Sequence, residues 1–267
     1  MLNTRASAVA EVHPTAVIDA TAELGADVVV GPYAVVGPGV VIGDRSTVGA
    51  HAVIERDTLI GEGCRIHAAA VLGGDPQDLK YAGEPSQLVV GDRTTIREFV
   101  TLNRGTAARG RTEVGSDCLL MAYVHVAHDC IIGNHVVLSN AVTMGGHVQI
   151  EEWAIVGGLT AIHQFGRIGC HAFVGGTAAV LKDVPPYVKA AGNPLGLYGL
   201  NAVGLQRRGF SEPARTELRR AYRLLFQSKL NVSQALERAK QELEPFPEVQ
   251  RLLSFIEASE RGIAVQR

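Results

Sequence analysis

An aliphatic residue recurs at every sixth position over most of the chain. From Val12 the series runs through Ile18, Leu24, Val30, Val36, Ile42, Val48, Ile54, Ile60, Ile66 and Leu72. It returns at Val90, Ile96 and Leu102. It then continues unbroken from Val114 to Val180 through Leu120, Val126, Ile132, Leu138, Met144, Ile150, Val156, Ile162, Ile168 and Val174. An α-helix repeats about every 3.6 residues and a flat strand about every 2, so neither accounts for a period of six. A chain that turns a corner every six residues and stacks coil on coil does. Three hexapeptides then make one triangular coil. The aliphatic first position and a small fifth position point inward, and successive coils pair as parallel strands about 4.8 Å apart. The spacing predicts a mainly β fold, a parallel β-helix over residues 1–195, in which stacking stabilises coils that would not stand alone.

The composition suits thin, regular layers: aromatics make up only 5% of the chain, and there are 30 glycines. Glycine recurs at the second position (Gly25, Gly31, Gly37, Gly43, Gly49, Gly61). There it is expected to supply corner backbone that larger residues adopt poorly. Of the four cysteines, Cys64, Cys118 and Cys130 fall at the fifth position, where other repeats have Ala34, Ser46 or Thr58. They read as small core residues, which points to a reducing, cytoplasmic setting. No apolar run is long enough for a membrane span, and Met1 to Glu11 lacks the pattern of an export signal. The formal charge of −2 argues against nucleic acid as a partner. The charge is uneven, however: 12 Lys/Arg against 8 Asp/Glu in 196–267, a net of +4, and 13 against 19 before it, a net of −6. A basic C-terminal part would suit an acidic or phosphate-bearing partner.

Two stretches break the period. Residues 73–89 and 103–113 read as loops extruded from the solenoid, and such loops often carry function. After Pro185-Pro186 the pattern changes to an α-helical C-terminal domain, 196–267. Ser211 is expected to cap a helix running to about Ser228, Ser233 a second to about Leu243, and Glu248 to Glu260 supplies a third. These helices would cover one open end of the solenoid.

The chemistry concentrates in His125, His128, His147 and His163. Their spacing places them near one corner in successive coils, beside the 103–113 loop. Asp129 follows His128 and could hold its ring in one tautomer. Gly145-Gly146 lies one coil above, where a bare N–H could face a developing oxyanion. A three-histidine metal site would need a further close ligand, and Gln164 to Gly169 offers none, so no metal is expected. Arg207-Arg208, following Asn201 on a short segment that Gly209 could end, suit a diphosphate.

Several runs together resemble one family. They are QDLKYAGEP (Gln77–Pro85), RGT (Arg104–Thr106), VHVAHDC (Val124–Cys130), GGH (Gly145–His147), GGLTAIHQF (Gly157–Phe165), DVPPYV (Asp183–Val188), GN (Gly192–Asn193) and QRRGF (Gln206–Phe210). In order and over essentially the whole chain, these look like the acyl-ACP–UDP-N-acetylglucosamine O-acyltransferases of lipid A assembly. The resemblance implies a left-handed coil, a homotrimer with active sites between subunits, and no cofactor. It implies transfer of an (R)-3-hydroxyacyl group from acyl carrier protein to the 3-hydroxyl of UDP-N-acetylglucosamine. By the same resemblance His128 is the general base, Asp129 its orienting partner and the Gly146 N–H the oxyanion donor. Asp78 and Lys80 hold sugar or acyl group, His125, His147, His163 and Gln164 line the cleft, and Asn201, Arg207 and Arg208 contact the nucleotide. Gly176 matches a position that measures acyl length, and as glycine it leaves room for a longer chain. Two positions depart from the pattern: Pro194 stands where some members have His, and Val203 where some have Glu. The first bears on acyl length, the second on uridine binding.

Overall fold

The computed structural model describes residues 9–265. Residues 1–8, which make up most of the segment expected to lack an export signal, and residues 266–267 lie outside the described part. Each hexapeptide contributes a short strand whose second residue is the periodic aliphatic, as in Val29–Val30, Val35–Val36 and Val41–Ile42. In each of these the first residue is exposed and the second buried, the alternation that β geometry imposes. The strands stack into three parallel faces. The first face runs from Glu11–Val12 to Phe173–Val174, the second from Val17–Ile18 to Ala179–Val180, and the third from Glu23–Leu24 to Arg167–Ile168. From Val28 to Val180 the inward aliphatics are nearly inaccessible to solvent. Each contributes roughly 1.5–3 kcal/mol on burial.

The two loops leave the stack without disturbing it. Regular coils pair residues 18 apart, such as Val29 with Thr47. Across the first loop Arg65 pairs with Thr95, and across the second Thr95 pairs with Leu119. The separations become 95 − 65 = 30 and 119 − 95 = 24, so the insertions add 12 and 6 residues, whole multiples of the period. Every aliphatic beyond a loop therefore still faces inward.

The second-position glycines have a different cause from the one expected. The left-handed backbone falls at the fourth position, and ordinary residues hold it there: Asp27 (φ 57°), Tyr33 (58°), Arg45 (58°) and His51 (57°). At the second position the constraint is contact with the next coil. A Cβ on Gly43 would lie 2.7 Å from the backbone carbon of Gly61, and one on Gly49 2.8 Å from the Ala68 nitrogen.

The coil is a left-handed parallel β-helix followed by a C-terminal helical region. Val188–Ala191 joins the first face and turns back antiparallel as Gly196–Leu200, so the division expected at 195 falls at the turn of this hairpin. Four helices follow: α1 (Ala202–Arg207), α2 (Glu212–Phe226), α3 (Val232–Glu242) and α4 (Pro247–Glu257). The Ser211 hydroxyl accepts from the Ala214 N–H and caps α2, as its position predicts. For α3 the cap is Asn231, not Ser233, because Asn231 and Gln234 close a reciprocal capping box. Helix α4 begins at Pro247 without a side-chain cap. Tyr222 and Ala264 join the solenoid core and close its C-terminal end. Asp183 ties the last coil to the chain terminus, accepting from the Ser259 hydroxyl at 2.7 Å and the Arg167 N–H at 3.0 Å. Among the described residues no helix is long and apolar enough to cross a membrane. All four cysteines are free and buried, and burial pushes the Cys130 thiol up to about 12.

Candidate active site

His128 stands on the corner where the second face turns into the third, two residues after the buried Val126. Asp129 follows at the fourth position with φ 60°, which turns its carboxyl back against the ring. His128 Nδ1 lies 2.9 Å from Asp129 Oδ2. The second loop fixes that carboxylate. The Thr106 N–H donates to Oδ1 at 2.9 Å, and the Thr106 hydroxyl donates to Oδ2 at 2.6 Å. The Asp129 N–H in turn donates to the Thr112 hydroxyl at 2.8 Å. Asp129 is only 2% exposed. Burial works against its ionisation, but the bonds from Thr106 and His128 and the nearby His147 outweigh it and hold the carboxyl below its ordinary range. An ionised carboxylate at Nδ1 keeps the ring proton there and leaves the Nε2 lone pair free.

That Nε2 faces Gly146. A Cβ at Gly146 would lie 2.4 Å from His128 Cε1 and 2.6 Å from Nε2, so only glycine lets the ring occupy this place. The corner leaves third-position N–H groups outside the strand ladder, and the Gly146 N–H donates to none of the described residues. His128 Nε2 and the Gly146 backbone thus line the same cavity. Gln77, His125, His128, Gly146 and Gln164 line the surrounding cavity of about 430 Å³. His125, on the second face, is 2.7 Å from the Thr101 hydroxyl through Nδ1. Burial lowers its pKa.

The first loop arches over this cavity on a buried guanidinium. Arg104, 2% exposed, donates to the Gly73 carbonyl at 2.5 Å, to the Tyr81 hydroxyl at 3.1 Å and to the Asp75 carboxylate. Asn103 adds a bond to the Asp75 carbonyl at 2.7 Å. Asp78 accepts from the Lys80 N–H at 3.0 Å and is close enough for its charge to act on His147. Lys80 is exposed.

The four histidines share a corner without forming one column. His147 meets the His128 ring edge to face at 5.2 Å and stacks on Phe165 at 4.5 Å. Burial lowers its pKa; Asp129 and Asp78 oppose the shift and His128 adds to it. His163 turns away. Its Nδ1 lies 2.9 Å from the Gln164 carbonyl and 3.1 Å from Arg261 Nη2. Among the described residues one trio offers metal-type donors within 4.8 Å of one another: His128, Asp129 and His147. Hydrogen bonds from Thr106 and His128 already reach both Asp129 oxygens, and His147 Nε2 lies 3.7 Å from Oδ2.

The remaining expected residues lie on other corners. Asn201 accepts from the Gly204 N–H through Oδ1 at 3.2 Å and donates through Nδ2 to the His171 carbonyl at 3.0 Å. The Arg208 guanidinium covers Trp153 at 4.0 Å. These groups, with the exposed Arg207, surround the ladder His135, Trp153, His171 on the corner between third and first faces. Gly176 sits on the corner between first and second faces, where a Cβ would lie 3.0 Å from the Gly158 carbonyl oxygen. Pro194 is exposed at the hairpin turn. One chain therefore holds His128 and the expected nucleotide contacts on different edges. Arg104, Thr106 and Thr112 were given no role from the sequence. For Arg104 and Thr106 the only signal was the polar RGT run at the base of an insertion, and Thr112 lies outside that run.

Residues 183–264 match the family described as Udp N-acetylglucosamine O-acyltransferase, domain 2, and residues 21–56 and 111–146 match bacterial transferase hexapeptide repeats. The acyl-(acyl-carrier-protein)–UDP-N-acetylglucosamine O-acyltransferase of Myxococcus xanthus is 50% identical over 256 residues, 96% of this chain and 99% of the relative. The UDP-N-acetylglucosamine acyltransferase structure from Bacteroides fragilis is 43% identical with a TM-score of 0.93, covering 94% of this chain and 98% of that one. The Francisella novicida structure is 36% identical with a TM-score of 0.93, covering 96% and 94%. With near-complete coverage on both sides, the chain belongs to the acyl-(acyl-carrier-protein)–UDP-N-acetylglucosamine O-acyltransferase family, the transferases of the first step of lipid A biosynthesis.

Proposed function

We propose that His128 is the general base in transfer of an (R)-3-hydroxyacyl group from acyl carrier protein to the 3-hydroxyl of UDP-N-acetylglucosamine. The observation that carries the reading is the free Nε2 of a ring anchored by Asp129, set against Gly146, whose N–H donates to none of the described residues. His128 Nε2 takes the hydroxyl proton as the sugar oxygen attacks the thioester carbon, and a C–O bond forms. The Gly146 N–H donates to the resulting oxyanion. The tetrahedral species collapses, the C–S bond breaks, and the proton passes from His128 to the departing pantetheine sulfur. Asp129 stays ionised throughout and stabilises the transient imidazolium. No cofactor or metal takes part in these steps, because the acyl group arrives already activated as a thioester.

Asp78, Lys80, His125, His147, His163 and Gln164 position the sugar and acyl groups around the base. The nucleotide is held by Asn201, Arg207 and Arg208 of a second copy. In one chain these lie on another edge, and a homotrimer that packs one prism's edge beside the next brings both sets to one cleft. Gly176 and Pro194 bound the acyl chain. The buried free thiols suit a cytoplasmic enzyme. The test is to offer purified protein UDP-N-acetylglucosamine and 3-hydroxyacyl carrier proteins of several lengths, and identify products by mass. Ester formation at O3, lost in His128→Ala with assembly intact, is expected. Transfer near the wild-type rate in that variant would overturn the assignment.

A further inference from the structure

The corner between the third and first faces carries one continuous column of side chains at the left-handed fourth position. Its lower part is ionic. Arg93 donates to both Asp117 oxygens, at 2.7 and 2.8 Å, and Asp117 Oδ2 lies 4.0 Å from His135 Nδ1. Its upper part is aromatic. The His135 ring stacks on Trp153 at 3.8 Å with the planes 16° apart, and His171 follows Trp153 at 6.2 Å. The Trp153 N–H donates to the Asn134 carbonyl at 2.9 Å and fixes the backbone below the ring. No step above uses this indole.

His135 covers one face of the indole, so the Arg208 guanidinium, 4.0 Å from the ring centroid, takes the other. A cation over an indole face is the strongest of the cation–π pairs. Nothing else holds this guanidinium by charge. Helix α1, which ends at Arg207, has the sequence AVGLQR and no acid. Burial alone lowers the Arg208 pKa, with no carboxylate near enough to oppose the shift. Asn201, beside it, is fixed by separate bonds to the His171 carbonyl and the Gly204 N–H, whereas Arg207 is exposed. A long, four-torsion side chain that is already stacked loses less freedom when it meets an anion, and its in-plane N–H donors stay open for one.

We infer that Trp153 is a positioning residue for the sugar nucleotide, acting through Arg208, whose guanidinium its indole face holds ready for the diphosphate. The inference rests on the nucleotide contacts proposed above and adds to them a residue that need not touch the ligand. Trp153 is the only tryptophan in the chain, so its emission reports the contact directly. Substitution is open to test here, because Leu159 and Phe165 hold the same left-handed position at φ 59° and 63°, and the backbone therefore accepts either residue at 153.

The experiment is calorimetric titration of UDP-N-acetylglucosamine, without acyl donor, into the intact wild type, Trp153→Leu, Trp153→Phe, Arg208→Gln and the Trp153→Leu/Arg208→Gln double variant. Trp153→Leu should raise Kd about tenfold, the scale of a partly shielded cation–π contact. Trp153→Phe, which keeps a weaker π face, should fall between it and wild type. In the Arg208→Gln background the leucine should add less than about twofold, because its effect runs through the missing guanidinium. A general loss of structure would instead add in full. The KM for acyl carrier protein should stay unchanged in Trp153→Leu. Wild-type affinity in Trp153→Leu, with Arg208→Gln weakened, overturns the inference alone. So does a tenfold loss from the leucine in both backgrounds. Wild-type affinity in Arg208→Gln overturns the nucleotide assignment itself, and the inference with it. Should Trp153→Leu not fold, the emission spectrum decides. Arg208→Gln should shift the emission of Trp153 in the ligand-free protein, and an unchanged spectrum overturns the contact.

Discussion

Asp129 accepts three hydrogen bonds through its two oxygens, two from Thr106 and one from His128. The orientation of His128 therefore depends on a loop threonine that touches no reacting atom. Thr106→Val keeps the side-chain volume and the backbone N–H but removes the hydroxyl donor. We expect kcat to fall about tenfold, the scale of a hydrogen bond to a charged group, with both KM values little changed. Thr106→Ser, which keeps the hydroxyl donor, should recover most of the lost rate, an outcome that a merely space-filling role for the side chain would not give. His171 yields a second prediction at this scale. Burial, helped by Arg208, pushes its pKa down to about 4, and its Nδ1 is buried without a partner. The unfolded chain takes up this proton near pH 6.5. The folded chain therefore keeps its full stability above that pH and loses it as pH falls from 6.5 toward 4. His171→Phe removes the titration. Phe165 already occupies the equivalent left-handed position at φ 63°, so the backbone accepts the change. Melting temperatures should fall less steeply for the variant than for wild type across that window.

The hexapeptide is the element that sets position, and its two kinds of glycine can be separated by experiment. Gly43→Ala forces a Cβ to within 2.7 Å of the next coil's backbone. It should cost about 1–3 kcal/mol, as overpacking does, in denaturant unfolding. Gly63 stands at the left-handed fourth position, with nothing nearer its Cβ than Arg93 at 3.6 Å. Asn tolerates that conformation, so Gly63→Asn should change stability by less than about 0.5 kcal/mol. The same contrast marks what a linear sequence can reveal. The period of six predicts the coil, its inward residues and both insertions, because each is a local alternation of apolar and polar residues. It does not reveal why the second position is glycine, since that depends on the backbone of the coil above. His128, Asp129 and Gly146 were legible because subtracting one coil length brings them together. Arg104 and Thr106 were not, because an extruded loop has no register from which to project its contacts. Asn231 displaced Ser233 as a cap because both make local caps and only the reciprocal bond with Gln234 decides between them.

At the scale of the molecule, the triangular section distributes chemistry over three edges: the base on one, Asn201 and Arg208 on the second, Gly176 on the third. If neighbouring copies complete each cleft, two separately inactive variants can repair one another. His128→Ala and Arg208→Ala chains, refolded together at equal ratio, should recover about a quarter of the wild-type rate, since every mixed trimer of a random population holds one intact site in three. No recovery would mean that each chain works alone. The central claim is that the His128 ring itself carries the proton from the sugar hydroxyl, and chemical rescue tests it most directly. Added imidazole should raise kcat of His128→Ala in a concentration-dependent, saturable way, with the rescue following the neutral form of imidazole as pH is varied. A His128→Ala enzyme that transfers near the wild-type rate without imidazole would contradict the account.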